Sequence, residues 1–119
     1  MSSGNLISGD FPVKGYRNLG LGVTGQVVKA SKGQVFTLYI YNAGAAARYI
    51  KFYDKATAPD QTDTPSRTYG IGAGQAVTFS ISQGLEFLNG ISVRATTGVA
   101  DNDTGAPGAN DVVINIGYL

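Results

Sequence analysis

The sequence predicts an all-β fold: an antiparallel β-sandwich of about eight strands, jelly-roll-like, with an extended N-terminal arm. Three observations carry this expectation. Several runs alternate apolar and polar residues with a period of two, the clearest being Gln34–Asn42, QVFTLYIYN. Turn-forming residues recur roughly every ten residues, the spacing of sandwiches and barrels. No segment holds a helical period, and glycine supplies 17 of 119 residues, about twice its usual share of ~7%.

Residues 1–22 are rich in Gly and Ser and carry isolated apolar side chains at Leu6, Ile7, Phe11, Val13, Leu19 and Leu21. No period persists there, so the segment reads as an arm that lies on something else. Its removal is expected to leave the remaining domain, residues 23–119, folded. Gln26–Ala30 reads as a short strand and Ser31-Lys32-Gly33 as a turn. In Gln34–Asn42, Phe36, Leu38 and Ile40 are expected inward, with Val35, Thr37, Tyr39 and Tyr41 on the other face. Asn42-Ala43-Gly44 turns the chain, and Ala45–Ala47 are too few to nucleate a helix. Arg48–Asp54 follows as the second arm of a hairpin, with Ile50 and Phe52 inward and Tyr49, Lys51 and Tyr53 outward.

Residues 55–66, KATAPDQTDTPS, form a loop with two prolines and two aspartates. Arg67–Ile71 is a weak strand. Gln75–Ser82 alternates, with Val77, Phe79 and Ile81 inward. Gln83-Gly84 reads as a turn, Leu85–Leu88 as a short strand, and Asn89-Gly90 as a strong turn signal. Ile91–Thr97 places Ile91, Val93 and Ala95 on one face and Ser92, Arg94 and Thr96 on the other. Gly98–Asn110 is expected as a long exposed loop. Asp111–Tyr118 closes the chain with Val112, Ile114 and Ile116 aligned inward.

Composition excludes several classes of chemistry. The chain has no His and no Cys, which removes the usual general base, the Ser-His-Asp relay, disulfides and thiolate metal sites. No apolar run approaches the ~20 residues of a membrane helix, and the N-terminus lacks the pattern of a secretory signal. The expectation is synthesis in a cytoplasm, without a membrane partner. Charged residues make up only 14%. Residues 1–59 hold seven cations against two carboxylates, and residues 60–119 hold two against six. This split is either the accident of an interleaved β fold or a pair of complementary faces for self-association. Without a Lys/Arg cluster, nucleic acid is not an expected partner.

The carboxylates give no catalytic pattern. Asp54 with Glu86, or Asp60 with Asp63, are conceivable pairs for glycoside hydrolysis, but nearly all the aspartates sit where turns need them. Asp101 to Asp111, DNDTGAPGAND, begins like a calcium loop, yet Gly105 and Ala106 stand where an EF-hand needs Asp/Asn and Gly. A looser calcium site of Asp101, Asp103 and Asp111 stays open beside plain turn chemistry. Neither Gly20-Leu21-Gly22 nor Gly70–Gly74 continues into a phosphate-binding loop. No cofactor, metal or catalytic residue is therefore assigned, and the protein is not expected to be an enzyme.

Tyr39, Tyr41, Tyr49 and Tyr53 fall on the polar faces of consecutive strands. Cross-strand aromatic pairing explains them in one way, and a protein interface in another, because tyrosine is large, stiff and amphipathic. A carbohydrate platform is a third option. With Phe11 and Val13 of the arm, these tyrosines make up the expected contact set.

A series of short phrases then resembles a group of small tailed-bacteriophage virion proteins: the Tyr-rich strand at Tyr39–Asn42, Ala45–Tyr49, Phe52–Pro59, Asp63–Pro65, Ala73–Gly74, Phe79–Ile91 and a closing Asn115–Tyr118. The likeness spans residues 34 to 119 and leaves out the arm. It implies a virion structural protein, a capsid decoration or cement protein held to the outer capsid surface by adhesion. The implied partner is the major capsid protein. Self-association is expected with it, a trimer first and a dimer second. The alternative is a tail, baseplate or fibre-associated β-sandwich module, with glycan binding as one form of that role.

Overall fold

The computed structural model describes residues 12–119. Its strands are β1 (Lys14–Asn18), β2 (Gln26–Lys29), β3 (Gly33–Asn42), β4 (Arg48–Tyr53), β5 (Arg67–Ile71), β6 (Ala76–Phe87), β7 (Ile91–Thr96) and β8 (Val112–Tyr118). They form two four-stranded antiparallel sheets, ordered β1-β8-β3-β6 and β2-β7-β4-β5. The pairs β1–β8, β2–β7, β3–β6 and β4–β5 are those of a single long ribbon, doubled back at residues 54–66 and folded over itself. Only β4–β5 is a hairpin; every other connection crosses between the sheets.

The core lies between the sheets. Val35, Leu38, Ile40, Ile114 and Ile116 come from the first sheet, and Ile50, Phe52, Ile91, Val93 and Ala95 from the second. Phe52 meets Tyr69 edge-on at 5.9 Å and Phe87 at 6.2 Å. Except for Val35, expected on the other face, the alternating apolar residues of the sequence supply this set, because successive side chains of a strand leave on opposite faces.

Three expectations change in the structure. First, the boundary of the arm at residue 22 does not hold. Lys14–Asn18 pair in register with Ile114–Tyr118, Tyr16 packs on the core, and Leu21 is 1% exposed within it. Backbone bonds from Leu21 N to Val112 O (2.9 Å) and from Ala95 N to Gly22 O (2.8 Å) tie the segment to both sheets.

Second, Phe36 is not a core residue. The register slips between Val35 and Thr37, with Ile81–Gly84 bulging opposite from β6. Inward facing therefore jumps from Val35 to Leu38, and Phe36 lies over Gly84 (φ +80°), where a Cβ would stand 3.0 Å from its ring. The bulge also joins the two expected strands 75–82 and 85–88 into β6, in place of the expected turn. Phe79, expected inward, faces the core side at the open rim, lies against Tyr69 with ring centres 5.4 Å apart and planes tilted by 38°, and stays 38% exposed.

Third, the turn after Asn42 is no hairpin, because β3 and β4 belong to different sheets. Asn42 itself holds the crossover. Its Nδ2 donates to the carbonyls of Ala46 (2.8 Å), Ile71 (2.9 Å) and Gly72 (3.2 Å), while its Oδ1 accepts from Gly44 N (2.8 Å). Asn89-Gly90 likewise crosses between sheets. A Cβ on Gly90 would stand 2.6 Å from the Lys55 carbonyl, so the glycine is required by close backbone approach.

Candidate functional site: the outer face of the first sheet

In β3, Leu38, Ile40 and Asn42 point inward, so Thr37, Tyr39 and Tyr41 point outward. Cross-strand register then fixes two rows. Gly15, Gly117, Thr37 and Ser80 make one, and Arg17, Asn115, Tyr39 and Thr78 make the other. Facing glycines leave the first row low. A Cβ on Gly117 would stand 2.2 Å from Thr37 Oγ1 and 2.9 Å from Val13 Cγ1, so both side chains lean over it. The result is a shallow trough of about 640 Å³. Tyr39 forms its aromatic wall, and Arg17 is the one charged residue in these two rows.

The expected contact residues separate. Val13 (47% exposed), Tyr39 and Tyr41 lie on this face, the first two along the trough and Tyr41 beyond it, in the row of Val113 and Ala76. Tyr49 sits on the outer face of the second sheet, its ring 3.0 Å from where a Cβ on Gly70 would be. Phe11 lies outside the described residues. Tyr53 is overturned as a contact residue, since it is 1% exposed. Arg17, Asn115 and the two glycines of the trough carry no signal in the sequence. Their meeting depends on the pairing of β1 with β8, which no local pattern announces.

Tyr53 is buried because residues 97–105 cover the outer face of β4 and β7. Lys51 and Arg94 face each other across those strands and are 0% and 1% exposed. Lys51 Nζ donates to the carbonyls of Ala100 and Gly98. Arg94 donates to the Tyr53 hydroxyl at 2.7 Å and to the carbonyls of Asp101 and Asp103 at 3.1–3.2 Å. Opposed like charges are unfavourable in a sheet; here loop carbonyl dipoles meet both. Burial, and then the neighbouring Arg94, hold the Lys51 ammonium below its ordinary pKa. Burial pushes the Tyr53 hydroxyl up, against the pull of Arg94. The loop is exposed on its outer side, as expected, and its inner side is a lid fixed by two buried cations, so that Lys51, expected outward, is no surface residue.

Several carboxylates are held by backbone N–H groups or by a single cation. Asp54 accepts from the backbone N–H groups of Leu88, Asn89 and Gly90 at 2.7–3.3 Å. Asp63 pairs with Lys55 at 2.8 Å, and Asp111 with Arg48 at 3.0 Å. Asp103 Oδ1 accepts from Gly105 N at 2.7 Å. Asp101, Asp103 and Asp111 are not brought together, and among the described residues no three His, Cys, Asp or Glu side chains cluster as metal ligands would. No helix of the described residues is long and apolar enough to cross a membrane.

No protein-family model matches the chain, and no curated protein sequence matches it.

Proposed function

We propose that this chain is a structural component of a tailed-phage virion, a decoration protein that binds the outer surface of the assembled capsid and stabilises it by adhesion. The observation that carries this reading is a sheet face on which Val13 and Tyr39 line a trough whose charged residues are Lys14 and Arg17, with Tyr41 further along the same face. Such a face suits docking. Tyrosine offers large contact area at low entropic cost, and little charge must be stripped of water. Its partner would be the major capsid protein, with neither nucleic acid nor membrane involved. The role needs no catalysis. The strand order β1-β8-β3-β6 over β2-β7-β4-β5 supports the jelly-roll reading of the sandwich. Each copy adheres modestly, and repetition over a lattice multiplies the effect.

The test compares shells with and without the protein for resistance to heat and dilution, then repeats it with Tyr39→Ser/Tyr41→Ser. Wild-type protein is expected to bind and protect, and the double variant to do neither while keeping its fold. Equal resistance of bare and coated shells, or full binding by the double variant, overturns the reading. A second reading, a tail or fibre-associated glycan-binding module, draws on the trough itself, where Tyr39 stands beside the hydrogen-bonding Asn115, Thr78 and Arg17. Strong signals on a glycan array, lost with Tyr39→Ser, would favour it.

A further inference from the structure

Sheet edges differ in how they are guarded. A free edge presents unpaired N–H and C=O groups, and proteins normally blunt it with charge, shortness, proline or bulges. β1 carries Lys14 and Arg17. β2 is four residues long and bulged, with Lys29 at its end. β5 opens on Arg67 and contains Gly70. β6 is different. Its regular stretch Ala76–Ser80 pairs with β3 on one side and, among the described residues, with nothing on the other. This stretch, AVTFS, has no charge, no proline and no glycine, and its central residues favour strands. Phe79 adds an apolar side chain left 38% exposed at the rim.

We infer that this edge pairs antiparallel with the same edge of a second copy, about a two-fold axis at Thr78. Main-chain groups of a strand edge demand another strand, and the side chains here favour a like one. A two-fold axis perpendicular to the sheet pairs only residues of the same face, so paired residue numbers have an even sum. The regular stretch ends at the bulge that begins with Ile81. Only centring on Thr78 then uses all of Ala76–Ser80. This register sets Thr78 against Thr78, Val77 against Phe79 and Ala76 against Ser80. Thr–Thr and aromatic–β-branched pairs are favourable across strands, and no like charges meet. Half-buried Val77 gains the exposed Phe79 of the other copy, and the two first sheets become one of eight strands. The product closes as a dimer. The trimer expected from shell symmetry would need a different, heterologous contact.

The test uses the full chain, which has no native cysteine. Under mild oxidation, Thr78→Cys is expected to give a covalent dimer about tenfold more than Ser80→Cys, because only the axial residue faces itself. Ala76→Cys/Ser80→Cys is expected to cross-link again. By sedimentation, wild type is expected to dimerise, and Thr78→Lys to weaken self-association about tenfold by opposing two ammonium groups. Equal cross-linking of the two single-cysteine variants, or wild type that stays monomeric up to about 1 mM, overturns the inference. The cross-linking arm still decides it if the lysine variant misfolds.

Discussion

Arg94 Nε donates to the Tyr53 hydroxyl at 2.7 Å, with the two side chains 1% and 1% exposed. The guanidinium carbon lies 5.9 Å from the Tyr53 ring centre. Removing the hydroxyl would leave a buried, charged donor without its acceptor, and such a loss costs about 1–3 kcal/mol. Tyr53→Phe keeps the packing and is expected to lower unfolding free energy by that amount, seen as a shift of the denaturation midpoint at unchanged slope. A loss below about 0.5 kcal/mol would mean that water or the loop carbonyls replace the hydroxyl.

Asn42 is expected to be more sensitive. Its side chain makes bonds to Ala46, Ile71, Gly72 and Gly44 in a site with no solvent access. Asn42→Ala leaves several backbone groups unpaired at the point where the chain changes sheets. The expected loss exceeds that of Tyr53→Phe and reaches about 3 kcal/mol or more. Chemical denaturation of both variants, side by side, checks the ranking.

Much of the fold was legible because alternation is local. Leu38, Ile40, Ile50, Phe52, Val93 and Ile114 announce their inward faces through their neighbours, and Tyr39 and Tyr41 announce their outward ones. What stayed hidden was set by distant partners. The count of eight strands matched the expectation, yet the strands are not the same eight. The inward face of β1 carries Lys14, Tyr16 and Asn18, with Tyr16 its one apolar side chain, so no alternation marks it, and β8 makes it a strand. Turn residues at Asn42–Gly44 show that the chain bends without showing which sheet it enters.

The second limit concerns polar faces. Tyr53, Lys51 and Arg94 alternate with apolar residues, and that pattern ordinarily means water. Here residues 98–103 offer carbonyls to two of the three, and long amphipathic side chains tolerate such cover. The same pattern therefore describes a solvated face and a lidded one. Of the tyrosines singled out, those on the first sheet remain at the surface and Tyr53 does not.

The role of residues 1–22 is now open to a direct measurement. The sequence suggested that deleting them leaves the domain intact. The structure gives the opposite expectation, since the deletion removes β1 from β8 and Leu21 from the core. Leu21→Ala alone is expected to cost about 2–5 kcal/mol, and the full deletion more. A deleted protein that unfolds at wild-type denaturant concentrations would restore the arm.

The last prediction concerns acid. Asp54 is held below the ordinary value of 3.8 first by the N–H of Asn89, with Leu88 and Gly90 adding to it. Asp63 is held below the same value first by the Lys55 side chain. A carboxyl whose pKa is lower in the folded chain stabilises it above the unfolded pKa, and that contribution fades as pH falls through the folded value. Both groups act in the same direction, so stability is expected to be level near about pH 6 and to fall from about pH 4 downward. Asp54→Asn removes one titrating group and weakens the cap over residues 88–90. It should start lower at neutral pH and fall less on acidification, so that the two curves converge at low pH. Unfolding midpoints measured across that range test this. Parallel curves for the variant and wild type would show that the Asp54 cap does not carry the acid dependence.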